Sequence, residues 1–547
     1  MPLTGAVLLV LGTVATVVTC ALWLTGGFRT TVLGLRVSAS NLDRPLAIAV
    51  LAWLAFAVAR PAAFSRIVPR LVVATVLCCL GLFSARHAAP VAAGADMFGY
   101  VSQANDWRAG TLVHPVAPPA PLSFPHHAYV PLGYVWRYPP PSSVALYPPG
   151  TSLHMALASV VAPGAVYLVA PLAALMAVLG TYLLGATYFD ARTGAWAAAL
   201  LAFCPQLLMQ AIVPMSDTLA TAYWVWALVC AGSSHLALQG VAGVLVSVAV
   251  LVRPNLAPLA AGVLLCSAGA AGLRGALTMA AATTPLLFWL GWHNTVLYGG
   301  PLATGYGPAG GLFALRYIPE NIRRYGGWML QTLSPLPFLG AGALAYSVVR
   351  RRERAHPGLW VFMALTGLIY VCYLPWPNWT FSRFLLPAFP VLFVLAVTGM
   401  QRLASSTSLP VVATILICIG WEMHFVQNSE IRYVRDAMSR FEIVGRHLQG
   451  QDTGRAVITR IHSGSLRYYA SATTVRWDQL TAATLAQGIR RDLAAGRRPL
   501  LIDDSDDRDD FVARFGPLAC WADTTAPLLT VTQHADVRVL NARPGCD

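Results

Sequence analysis

Lysine is missing from this chain. All 37 basic residues are arginine, and they are scattered among apolar runs rather than gathered on one face. That dispersal excludes the basic stripe of a nucleic-acid-binding domain, despite a formal charge of +14. Acid is scarce too: the first 427 residues hold only Asp43, Asp96, Asp106, Asp190, Asp217, Glu320, Glu353 and Glu422, and the remaining acidic side chains lie beyond Gln427. With 11% charged residues and a mean hydropathy of +0.60, the chain is not an ordinary soluble globular protein, in which about a quarter of residues are charged. Cysteines with metal-ligand spacing are also lacking. Eight of the ten, Cys20, Cys78, Cys79, Cys204, Cys230, Cys266, Cys372 and Cys418, sit in apolar segments as small hydrophobes. Only Cys520 and Cys546 are in polar surroundings, where an oxidising compartment would let them pair. The N-terminus has neither a basic leader nor a small-residue cleavage site, and reads as a retained helix.

What is present is a polytopic α-helical membrane protein. A span needs about 20 mostly apolar residues, and about thirteen segments qualify, at 5–25, 45–60, 69–84, 164–187, 195–212, 215–234, 237–252, 255–272, 276–293, 328–349, 358–375, 383–400 and 409–427. The arginines at 350, 351, 352 and 354, and those at 60, 66 and 70, mark cytoplasmic turns by the positive-inside rule. Counting outward from either cluster puts the loops at 85–150 and 294–327 outside, together with everything after 427. Asp96, Asp106, Asp217 and Glu320 then share the extracytoplasmic side. Exclusive use of arginine suits a GC-rich bacterial genome, hence a bacterial inner membrane.

The 85–150 loop is too long for a mere connection and too rich in Pro, Tyr and Trp for a flexible linker. Its second half cannot hold a continuous helix, and it reads as a cover at the membrane surface. The 294–327 loop combines glycine turns with an amphipathic piece near Phe313 to Tyr325 and is expected to close over the same cavity. Residues 428–547 have the composition of a soluble domain. A leading helix, SEIRYVRDAMSRFEIVGRHL, precedes strands at AVITRI, TTVRW, PLLID, PLLTVT and VRVLNA, with helices between some of them. This α/β pattern carries no GxGxxG or Walker motif, so no nucleotide is assigned.

Charges beside membrane spans need a reason. Asp96, a few residues beyond a span, and Asp217, at the outer end of another, are candidates to take a proton from a substrate hydroxyl or to orient it. Asp217 is equally suited to cap the helix that follows it. Arg253 in VLVRPNL and Arg383 in PWPNWTFSRF are placed to hold a phosphate by charge-assisted hydrogen bonds, or else to reach the lipid headgroups. Arg137, in the covering loop, is a weaker candidate. Asp106 and Glu320 read as solvated loop charges. His114, His126 and His127 match no metal pattern, and the acidic run from Asp503 to Asp510 lacks the central Gly and terminal Glu of an EF-hand. It reads as a strand end followed by a solvated helix start; no cofactor is required, and a divalent metal stays open without support from the sequence.

Several pieces in order resemble one family. They are a span followed by Asp96, YPPG at Tyr147 to Gly150, PMSD at Pro214 to Asp217, VRP at Val252 to Pro254, and HNTVLYGGPLATGYG at His293 to Gly307. Together they resemble the C-type (GT-C) integral-membrane glycosyltransferases, in particular the bacterial relatives of dolichyl-phosphate-mannose protein mannosyltransferases and of the lipid A aminoarabinose transferase. The resemblance covers residues 69–427, with two additional helices in 1–68 and the soluble domain in 428–547. It implies transfer of a sugar, with inversion, from a polyprenyl phosphate to a hydroxyl on a glycan, lipid or protein at the outer face. Asp96 would be the base, Asp217 its partner or a second base, and Arg253 and Arg383 the phosphate ligands. Tyr147, His293, Asn294, Tyr306 and Arg137 would line the cavity. Many relatives have Asp-Glu where this chain has Asp96-Met97, which turns attention to Asp217 as the second acid. The competing class is a transporter or flippase of lipid-linked sugars, for which no internal repeat of spans is evident.

Overall fold

The computed structural model describes residues 3–545 apart from 26–27, 33–34, 40–42, 60, 117, 119–121, 352–355, 405–408, 452–453 and 533. Among them, five helical segments are long and apolar enough to cross a membrane: Ile67–His87, Pro163–Tyr188, Pro254–Tyr298, Trp379–Leu403 and Pro410–Gln427. The number becomes seven if each of two bent helix pairs is one span. The thirteen spans expected from hydropathy are not reproduced by this count, for identifiable reasons. Two apolar helices, Leu236–Val252 and Pro357–Val371, are shorter than a full span, whereas the first helix, Leu3–Thr25, runs 23 residues, the length a span needs. The segment expected at 195–212 is bent by 63° between Ala191–Phe203 and Pro205–Ala211. That expected at 328–349 is broken by 106° between Leu315–Leu333 and Leu336–Arg350. Both breaks fall at a residue preceding proline, Cys204 before Pro205 and Ser334 before Pro335, where the α conformation is disfavoured.

Pro254–Tyr298 shows the opposite effect. As one straight helix its 45 residues would run about 68 Å, twice the ~30 Å hydrocarbon core. The chain turns instead at Gly272, whose φ of 65° and ψ of −164° lie outside the helical region and suit glycine. The first limb packs on Pro357–Val371 through Gly262 and Phe362, and the second on Leu236–Val252 through Met279 and Gly243. Both ends of the element therefore return to one end of the bundle, and the expected segments 255–272 and 276–293 are its two limbs.

That end collects the candidate residues. Asp217 begins the Asp217–Ala231 helix and Arg253 ends Leu236–Val252. The Tyr298 hydroxyl reaches the carbonyl of Ala145, 2.8 Å away in the first outer loop. At the opposite end, Gly232 sits against Tyr188, and the Tyr188 ring meets His356, which starts the helix after the Arg350 turn. Arg352, Arg354 and Arg60 lie outside the described residues.

The first outer loop opens with the Asp96–Ala109 helix and continues as a three-stranded antiparallel sheet in the order Val113–Pro115, Ser142–Ala145, Tyr134–Arg137. The second carries the amphipathic Ile318–Leu333 helix. The C-terminal part contains a five-stranded sheet in the order Thr473–Arg476, Ala456–Thr459, Leu500–Asp504, Asp536–Asn541, Leu529–Thr532. Its first three strands are parallel and the last two antiparallel. The hydrophobic core of the bundle continues past 427 to Phe441, and Phe124, Ala128 and Tyr129 of the outer loop belong to the core of the C-terminal sheet. Packing is thus continuous across 427/428. Cys520 is disulfide-bonded, and Cys546 lies outside the described residues.

Two charge expectations are corrected by burial. Asp106 is buried, 8% exposed, and accepts a 2.6 Å hydrogen bond from Tyr134 and a 3.1 Å contact from His114 Nε2. It ties the loop sheet to the Asp96 helix, and its hydrogen bond raises the His114 pKa above the ordinary imidazole value. The acidic run has the expected strand end, Leu500–Asp504, and helix start, with Asp509 and Asp510 exposed, but part of it is not solvated. Asp503 pairs with Arg508 and Arg538, Asp504 with Arg440 and His462, and Asp510 with Arg460. Asp503, Asp504 and Asp507 are each at least 96% buried. Buried charges persist only when paired, and apart from Arg508 the partners come from distant segments.

Candidate active site

Asp96 is the first residue of its helix, where an acid is favoured by the helix dipole. Its side chain is 38% exposed. One carboxylate oxygen accepts a 2.8 Å hydrogen bond from the Tyr147 hydroxyl, the other a 3.1 Å bond from Arg383 Nη2. Burial, and then the charge of Asp96, hold the Tyr147 phenol well above its ordinary pKa, so it stays a donor. Its ring lies on Gly99, where an added Cβ would be 2.0 Å from Tyr147 Cε2. Only glycine admits the ring there. Tyr306, from the 294–327 loop, meets the Tyr147 ring edge-on at 6.1 Å, so that loop and the 85–150 loop meet beside Asp96.

The second half of the cluster is buried more deeply. Asp217 has no exposed side-chain surface and lies 3.0 Å from Arg253 Nη1. The contact is an ion pair without hydrogen-bond alignment, and among the described residues neither Asp217 oxygen has a hydrogen-bond donor. The capping role is therefore not realised: Asp217 follows the cap residue Ser216, and no side chain caps that helix. Arg253 is further held by Ser216 Oγ at 3.2 Å and the Tyr370 hydroxyl at 3.5 Å, the latter also taking a 2.9 Å bond from Asn255.

Two links join the halves. The Tyr100 hydroxyl donates to Ser216 Oγ at 3.0 Å while the Tyr100 ring lies 4.6 Å from that of Tyr147. The Phe384 ring has a guanidinium on it from each side of the cluster, Arg253 at 5.2 Å and Arg383 at 5.3 Å. Arg383 Nε is buried without a partner among the described residues, a free donor beside Asp96.

The structure thus brings together Asp96, Asp217, Arg253, Arg383, Tyr147 and Tyr306. It does not bring in the other three candidates. Arg137 ends an edge strand opposite Ser142, and no ion pair ties it to the cluster. His293 is buried in a ring stack with Trp107 and Trp289, at 5.5 and 5.3 Å. Asn294 donates to the carbonyl of Pro301, bracing its own loop. Sequence reasoning missed Tyr100, Ser216, Asn255, Tyr370 and Phe384, all uncharged. Tyr100 was within reach, one helical turn beyond Asp96. Among the described residues no three His, Cys, Asp or Glu side chains are grouped to hold a metal ion.

No protein-family model and no curated protein matches the sequence. Solved structures do match. ArnT from Cupriavidus metallidurans in the apo state aligns with a TM-score of 0.51 at 12% identity, over 88% of this chain and 98% of that one. The same protein bound to undecaprenyl phosphate aligns with a TM-score of 0.50 at 11% identity, over 87% and 98%. The archaeal oligosaccharyltransferase AglB from Archaeoglobus fulgidus, in complex with an inhibitory peptide and a dolichol-phosphate, aligns with a TM-score of 0.51 at 12% identity, over 82% and 72%. At such identities the likeness is one of fold. The chain thus shares a fold with ArnT and with an archaeal oligosaccharyltransferase.

Proposed function

We propose that the chain is a glycosyltransferase that moves a sugar from a polyprenyl phosphate to a hydroxyl acceptor at the outer face of a bacterial inner membrane, with inversion. The observation that carries the reading is the cluster itself: one accessible carboxylate, Asp96, beside two guanidiniums that share the Phe384 ring. Asp96 takes the proton of the acceptor hydroxyl as its oxygen attacks the anomeric carbon. The bond from that carbon to the phosphate oxygen breaks on the opposite face, which inverts the centre. A lipid-linked phosphate leaves without protonation, and its charge is met by Arg383 and Arg253.

The site's geometry reorders the parts. Arg383, with its unpartnered Nε, becomes the leading phosphate ligand. Asp217, enclosed against Arg253, is assigned to holding that arginine rather than to orienting the acceptor. That the fold neighbours bind undecaprenyl phosphate and dolichol-phosphate supports a polyprenyl-phosphate donor. The test is incubation of the purified protein with a radiolabelled polyprenyl-phosphate sugar and a panel of glycan, lipid and protein acceptors. Labelled acceptor supports the reading. Movement of the intact lipid-linked sugar across a proteoliposome, without labelled acceptor, points instead to a transporter.

A further inference from the structure

The C-terminal part grips the Asp96 segment on both sides of the carboxylate, through one short helix, Ser463–Ala470. Four residues before Asp96, the backbone N–H of Ala92 donates to the Tyr469 hydroxyl at 2.9 Å. Two residues after it, the Phe98 ring lies against Gly464 so closely that a Cβ there would be 2.1 Å from Phe98 Cδ1 and 2.5 Å from Cγ. The same helix holds the covering loop. Ser463 Oγ accepts from the backbone N–H of Leu132 at 2.9 Å, and Arg467 donates to the carbonyl of Tyr129. Gly133, next to Leu132, packs back onto the Ala95 carbonyl. Phe98 is 3% exposed, and interiors this dense transmit a displacement rather than absorb it.

We propose that Phe98 and Gly464 are positioning residues for Asp96, and that the C-terminal part is therefore an integral component of the active site rather than an appended module. The inference rests on the glycosyltransferase reading for its kinetic consequences, but the coupling it asserts is physical and separately measurable. Gly464→Ala forces Phe98 to move. That shift travels two residues to Asp96, whose hydrogen bonds to Tyr147 and Arg383 depend on its place.

The test uses the full-length protein and three variants, Gly464→Ala, Phe98→Ala and the double variant, alanine removing the Cγ and ring atoms that the new methyl would meet. Hydrogen exchange of the backbone amides at 95–101 is expected to rise at least tenfold in Gly464→Ala and to return toward wild type in the double variant, where the smaller side chain makes room. Transfer activity is expected to follow the same order, with kcat falling and KM for the lipid-linked sugar unchanged. An unchanged exchange rate at 95–101 in Gly464→Ala overturns the coupling, as does a double variant no better than the single one. If exchange behaves as expected while the wild-type protein shows no transfer, the coupling stands and the glycosyltransferase reading fails. A Gly464→Ala protein whose exchange rises uniformly along the chain has merely lost stability, and that result also overturns the proposal.

Discussion

Gly99→Ala isolates the contact on which the geometry of Asp96 depends. The new methyl would lie 2.0 Å from Tyr147 Cε2, whereas ordinary contact begins at 3.4 Å. Tyr147 is 1% exposed, so the ring has no open space to turn into and must shift by about 1.4 Å. Such a shift carries its 2.8 Å bond to Asp96 past the ~3.5 Å at which a hydrogen bond is lost. Overpacking of this kind costs about 1–3 kcal/mol in stability. A hydrogen bond to a charged group is worth about 1.5–3 kcal/mol, which in turnover is about 10- to 150-fold. Tyr147→Phe loses the same bond without the clash. Both variants are expected to lose turnover to a similar degree, with Gly99→Ala melting lower than Tyr147→Phe because it adds the clash to the lost bond. The assay is transfer of radiolabelled sugar, paired with thermal unfolding of the detergent-purified protein. Wild-type turnover in a folded Gly99→Ala variant would refute the reasoning.

Three further outcomes are expected. Asp217→Asn leaves Arg253 buried and uncompensated, which costs about 3–5 kcal/mol, and Arg253→Gln added to it should recover part of the loss in a melting experiment. Asp106→Ala leaves the Tyr134 hydroxyl with Ser102 in place of a charged acceptor and should destabilise the 85–150 loop by about 1–3 kcal/mol, seen as faster proteolysis between 110 and 145. Burial raises the pKa of Asp507 to about 7, with Arg460 Nε no nearer than 4.0 Å and Asp504 and Asp506 adjacent. A carboxyl raised in the folded state stabilises below its unfolded pKa and loses that contribution as pH rises through about 7. Protection of the strands at 456–459 and 500–504, taken relative to the intrinsic exchange rate at each pH, should therefore fall between about pH 4 and 7 in the wild type and much less in Asp507→Asn.

The four charged residues of the site were legible because charge at the end of an apolar span has few innocent explanations. Asp96, Asp217, Arg253 and Arg383 each stand out against their neighbours, and the structure brings them together. Their roles were less legible, because exposure decides them: the 38% opening of Asp96 and the closure of Asp217 are tertiary facts. Phe384 and Tyr370 carried no signal, being ordinary aromatics in an aromatic-rich region. Hydropathy located the apolar segments but did not register where proline breaks them, at Pro205 and Pro335. The C-terminal strands were readable from alternation. The insertion of Phe124 into their core was not, since a partner more than 350 positions away, as in the 2.6 Å bond from Ser123 to Asp492, leaves no local pattern. The acidic run was legible as a strand end and a helix start, but the burial of Asp503 and Asp504 was not, because Arg440, His462 and Arg538 reach them from other elements.

The central claim is that Asp96 is the base of a transfer reaction. Asp96→Asn keeps the side-chain shape and the hydrogen-bonding reach while removing the basic carboxylate, so donor binding should survive. The decisive measurement is single-turnover transfer from radiolabelled polyprenyl-phosphate sugar by Asp96→Asn, alongside binding of the same donor. The account predicts donor binding close to wild type with transfer reduced by about 100-fold or more. Transfer at the wild-type rate, in a folded protein that binds donor, would contradict it.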